Sequence, residues 1–99
     1  MTTMTQSSSD TYYDLIDSKG CKVIVFGELE EQWTDEVLDI FEREEIDTFF
    51  FPWSKCLDLR LQLEIIYYPY IQLWVNGRLQ MELIGYHNES IKNLITEMK

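Results

Sequence analysis

Residues 70 to 86 read YIQLWVNGRLQMELIGY, and the Asn76-Gly77 pair inside this stretch constrains the fold more than any other dipeptide. A two-residue hairpin turn needs positive φ at both central positions, which Asn and Gly tolerate, and alternating apolar runs flank the pair. Ile71, Leu73 and Val75 share one face of the first run, and Leu79, Met81 and Leu83 can pair with them across the turn. Gly85 ends the second run. Asn88 can cap a last helix, with Ile91, Leu94, Ile95 and Met98 following at i, i+3, i+4 and i+7.

Upstream, CKVIVFG at 21–27 is a continuous β-branched apolar run and reads as a buried central strand. Before it, 12–17 is a short helical turn closed by Gly20. After it, Thr34 can cap a helix to about Glu45, with Val37, Leu38 and Phe41 on one face and acids opposite. DTFFFP at 47–52 is a second strand ended by Pro52. The next stretch, SKCLDLRLQLEII at 54–66, is ambiguous. Its leucines alternate as in a strand, yet Leu, Arg, Gln and Glu are helix formers, and Leu57, Leu61 and Ile65 fit an i, i+4 stripe.

Composition narrows function more than fold. Ninety-nine residues make one domain, and 18 acidic against 8 basic residues leave a net charge of -10. That balance argues against nucleic-acid phosphates and anionic membranes and favours a basic protein or peptide partner. Residues 28–47 alone hold ten acids and one base, Arg43, a net -9. Cys21 and Cys56 stand too far apart for a CxxC and read as reduced thiols of a cytoplasmic protein. A single histidine, His87, precludes a Cys/His zinc site, and the spacing of Glu28, Glu30, Glu31, Asp35 and Glu36 matches no cation loop. The expectation is no metal and no cofactor. The opening MTTMTQSSSD has neither a basic nor an apolar signal region, so residues 1–10 are expected to be a disordered tail before a domain over 11–99.

The order strand, helix, strand, uncertain segment, hairpin, helix resembles the thioredoxin family, and the spacing in YYPYIQLWVNGRLQMELIGY carries the likeness. Thioredoxins place a cis-proline just before the first hairpin strand, an Asn-Gly turn seven residues on, and a glycine after the second strand. Pro69, Asn76-Gly77 and Gly85 match without a gap. The resemblance implies an α/β three-layer sandwich: a central mixed sheet of about four strands with a C-terminal β-hairpin and flanking helices. It also implies a helix over about 55–64 and a cis Tyr68–Pro69 bond.

The same resemblance denies the family's chemistry. Its Cys-Gly-Pro-Cys falls on Glu31, Gln32, Trp33 and Thr34, its buried acid on Val25, and its neighbouring lysine near Phe50. A redox thiol needs the helix mouth to lower its pKa and a second thiol to resolve the mixed disulfide. The expected function is therefore not enzymatic. It is a redox-inactive interaction module, an adaptor or assembly chaperone, docking a protein or extended peptide beside the cis-proline. Tyr68 would offer backbone groups next to Pro69. Trp33 and Tyr67 would anchor side chains, and Glu30, Glu31 and Asp35 would steer a basic partner. The alternative is an acidic mimic that blocks a nucleic-acid-binding protein through Asp39 and Glu42. A third reading is single-thiol chemistry at Cys56.

Overall fold

The computed structural model describes residues 4–98. Five strands form one sheet: β1 (Met4–Gln6), β2 (Cys21–Gly27), β3 (Thr48–Pro52), β4 (Tyr70–Val75) and β5 (Arg78–Ile84), in the order β1-β3-β2-β4-β5. β1 and β3 run parallel to their neighbours, whereas β4 is antiparallel to both β2 and β5. Among the described residues four α-helices flank the sheet: α1 (Tyr12–Asp17), α2 (Gln32–Arg43), α3 (Leu57–Leu63) and α4 (Asn88–Met98). This is the three-layer α/β sandwich expected, with one strand more. The extra strand falls where a tail is expected: Met4–Gln6 pair with Thr48–Phe50, and Ser9–Thr11 form a 3-10 turn leading into α1. A short polar edge strand carries no apolar periodicity, so composition alone reads it as unstructured. Residues 1–3 lie outside the described residues.

β2 explains why its run is unbroken rather than alternating. Val23 and Val25 pack with Val37 and Phe41 of α2 and Ile91 and Leu94 of α4, while Ile24 and Phe26 pack with Tyr12 of α1 and Leu59 of α3. Both faces of the strand are covered, so both must be apolar. The ambiguous segment resolves as a helix: α3 buries Leu59 and exposes Leu57 and Leu61.

The hairpin turn has φ 51° at Asn76 and 81° at Gly77, both positive as a type I′ turn requires. Asn76 also ties the turn to the α1–β2 loop, accepting from Gly20 N–H at 2.8 Å and donating its own N–H to the Gly20 carbonyl at 3.0 Å. One pairing differs from expectation. Ile71 faces Leu83 and Leu73 faces Met81, but a bulge then places Leu79 opposite Trp74 and leaves Arg78 opposite Val75. The extra residue, Gln80, turns Leu79 away from the Val75 face. On the opposite face of β4 lies a polar network. The Tyr12 hydroxyl and Trp74 indole N–H both donate to Gln72 Oε1 at 2.8 Å, the Gln72 amide donates to the Tyr70 hydroxyl, and Tyr70 donates to Glu82.

Candidate functional site

The ends of three strands, a helix mouth and two loops meet at one end of the sheet. Gly27 closes β2 opposite Pro52 of β3, and Phe26 lies opposite Tyr70, the residue after Pro69. Four residues separate β2 from α2, whose first turn sits against the strand end. A Cβ at Gly27 would lie 2.5 Å from the Thr34 hydroxyl oxygen, so the approach requires glycine.

The acidic loop is built into this junction. The helix starts earlier than expected, and its N-cap is Glu31, not Thr34. The Glu31 carboxylate accepts from Trp33 N–H at 3.0 Å, from Thr34 N–H at 2.9 Å and from the Thr34 hydroxyl at 2.8 Å. Thr34 is fully buried, and its hydroxyl also accepts from Glu28 N–H, so it serves the loop rather than opening the helix. Partial burial pushes the Glu31 carboxyl up, but the bonds from Trp33 and Thr34 outweigh it and hold the group below its ordinary value. Asp35 reaches back to accept from Glu30 N–H at 3.2 Å, with Glu30 itself at φ 67°. Glu31 thus satisfies two of the backbone donors that every helix start leaves open, and Asp35 satisfies one in the loop before it.

The expected anchors stand around this mouth. Trp33 is 46% exposed and stacks on Tyr86, ring centroids 5.2 Å apart. Tyr86 follows Gly85, whose N–H donates to the Pro69 carbonyl at 2.7 Å, so Trp33 and Pro69 are joined through one short segment. The Tyr68–Pro69 bond is cis. Tyr68 meets Trp53 edge to face at 4.9 Å, and the Arg60 guanidinium lies 4.0 Å over the Trp53 ring. Arg60 Nε also donates to the Trp53 carbonyl at 2.9 Å, which fixes that stack. Tyr67 is exposed and Pro69 buried. Tyr86, Trp53 and Arg60 complete the site, and sequence reading missed them as site residues. They come from three separate loops and elements, with no local pattern to join them. Asp39 and Glu42 lie apart, on the exposed side of α2, where Asp39 pairs with Arg43 at 3.4 Å.

Neither thiol stands in the first turn of α2. Cys56 precedes α3, is buried, and donates from Sγ to the Pro52 carbonyl at 3.0 Å; burial pushes its thiol up, against the lowering effect of Arg60. Cys21 is exposed at the far end of β2, six residues and roughly 20 Å from Gly27. Partial burial raises its pKa as well. Val25 and Phe50, where the resemblance puts the family's buried acid and its lysine, are adjacent partners in the apolar core. Among the described residues no three metal-ligand side chains converge, and no helix is long and apolar enough to cross a membrane.

No protein-family model and no curated protein sequence matches this chain. Solved structures do. A thioredoxin of Plasmodium falciparum superposes with a TM-score of 0.79 at 13% identity, covering 96% of this chain and 99% of its own. A Fasciola hepatica thioredoxin gives 0.79 at 12% identity, covering 97% and 100%. The oxidized mitochondrial thioredoxin 3 of Saccharomyces cerevisiae gives 0.76 at 17% identity, covering 95% and 94%. At such identities the likeness speaks for architecture alone, and it does so over nearly the whole length: this chain has the thioredoxin-like fold.

Proposed function

We infer that this chain is a protein-docking module on a thioredoxin-like scaffold, with no thiol–disulfide chemistry of its own. One observation carries the reading. At the helix mouth, where that chemistry needs a thiolate, Glu31 spends its carboxylate on capping α2. A capping carboxylate is neither a nucleophile for disulfides nor a group that can resolve one. Both thiols lie elsewhere, and their raised pKa values leave them mostly protonated at neutral pH.

The surface around the mouth supports docking. Trp33 with Tyr86 and Tyr68 with Trp53 form two aromatic pairs flanking Pro69, and aromatic groups of this kind dominate binding energy when a partner covers them. An extended segment would pair with the backbone at Tyr68 and lie between the two pairs, with Tyr67 beside it. Glu30, Glu31 and Asp35 would give the approach a negative field that favours a basic partner. The module would act as an adaptor or assembly chaperone in the cytoplasm, where both cysteines stay reduced. The net -9 over residues 28–47 favours a second reading, acidic mimicry through Asp39 and Glu42.

Retention of cell proteins on the immobilised chain separates the two. The docking reading expects Trp33→Ala to abolish retention, while Asp39→Lys with Glu42→Lys and added salt change it little. Steep salt dependence with loss on charge reversal, and retention by Trp33→Ala, would instead establish mimicry.

A further inference from the structure

We propose that the outer edge of β5 takes up an extended segment of a partner protein as an added strand, the segment carrying a basic and an apolar residue two positions apart. The proposal deepens the docking reading and rests on it, and it extends that surface from Tyr67 to the free edge of the sheet. β5 closes the sheet, and among the described residues β4 is its one strand neighbour. An open edge offers backbone donors and acceptors to any extended chain, and natural edges are guarded against this by lysines, prolines or a covering element. β5 carries no lysine or proline; its single base, Arg78, stands at its start, and its bulge at Gln80 lies before the Glu82–Ile84 stretch, which stays in register with β4.

Beside the end of β5 lies a cleft of about 240 Å³ between this strand and the α3–β4 loop. Its apolar wall is Ile66, Tyr67 and Ile84, which are 73%, 64% and 56% exposed. Large apolar groups converging in water are the mark of a contact surface. Its charged groups are Glu64 and Glu82, and no lysine, arginine or histidine lines it. The Tyr70 hydroxyl donates to Glu82 Oε2 and so orients that carboxylate.

Register then dictates the partner pattern. Glu82 and Ile84 are two residues apart on the same face of β5, because side chains alternate along a strand. An added strand must set side chains opposite each at the same spacing: a lysine or arginine over Glu82 and an apolar group over Ile84. Glu64 lines the same cleft and adds to the field. A second copy of this chain is disfavoured as the occupant. Each copy carries -10, so two copies repel each other on approach.

The probe is an end-blocked peptide, Thr-Lys-Thr-Val-Thr-Lys-Thr, titrated into the nitrogen-15-labelled chain with amide shifts followed by NMR. The expected shifts concentrate on residues 78–84 and 64–67. Replacing both peptide lysines by glutamate should weaken binding about tenfold or more, since like charges would then face each other. Ile84→Lys should do the same without otherwise altering the spectrum, whereas Trp33→Ala should leave peptide affinity unchanged. Shifts centred on Trp33 and Tyr68 would overturn the strand-edge site while sparing the docking reading. Shifts spread along α2, equal binding of the acidic peptide, or no shifts would overturn the strand-edge proposal.

Discussion

Glu31 stands at the mouth of α2 and caps it. The helix start needs acceptors for its open N–H groups, and a carboxylate supplies two oxygens where a thiol would supply a weak one. The sequence displays the crowd of acids, but not which of them caps, because Thr34 is an equally good candidate by type. The choice is made by Gly27: the close approach it permits buries the Thr34 hydroxyl against the strand and leaves the cap to the longer side chain. Glu31→Gln keeps one acceptor and loses the charge, so it should cost about 0.5–1 kcal/mol at neutral pH. The folded state holds this carboxyl below its ordinary 4.5. Its contribution is therefore present above that value and fades as pH falls through the lower folded value. Urea titrations from pH 7 down to pH 3 should show the wild-type and variant stabilities converging.

At the scale of elements, the pieces with strong periodicity are legible and those without it are not. The buried run of β2, the Asn-Gly hairpin and the stripe of α4 all stand where the sequence puts them. The helix ends are harder to read. α2 and α3 finish with Glu45 at φ 57° and Glu64 at φ 58°, and both ends close with paired 6→1 and 5→2 hydrogen bonds. Glycine ordinarily marks such an end, and glutamate hides it. The bulge at Leu73/Trp74 is invisible for a related reason: no glycine or proline announces it. The network under β4 is equally unannounced, since Gln72 reads as a solvent-facing residue in an alternating strand yet is 4% exposed. Gln72→Leu would leave the buried Tyr12 hydroxyl and the Trp74 N–H without their shared acceptor. The cost should be about 2–4 kcal/mol, read as a lowered urea midpoint.

At the scale of the molecule, the charge is written plainly in the sequence and its consequence is general. Most of the -10 is carried by one loop and one helix on a body only 32 × 31 × 24 Å across. The acids repel over distances comparable to the screening length of about 8–10 Å at physiological salt. Raising sodium chloride from roughly 10 mM to 150 mM should therefore raise the melting temperature by about 4 °C. A fall would mean that attractive pairs dominate instead. The spacing of Pro69, Asn76-Gly77 and Gly85 suffices to suggest the fold, because these residues are demanded by backbone geometry. The candidate site is only half legible: exposed Trp33 and Tyr68 can be named, but their ring partners Tyr86 and Trp53 arrive through tertiary packing. The central claim is that this scaffold docks and does not exchange disulfides. Insulin-disulfide reduction with dithiothreitol as electron donor tests it most directly, comparing the wild type with the Cys21→Ser, Cys56→Ser double variant. Both should run at the uncatalysed rate; turnover by the wild type that the double variant loses would contradict the claim.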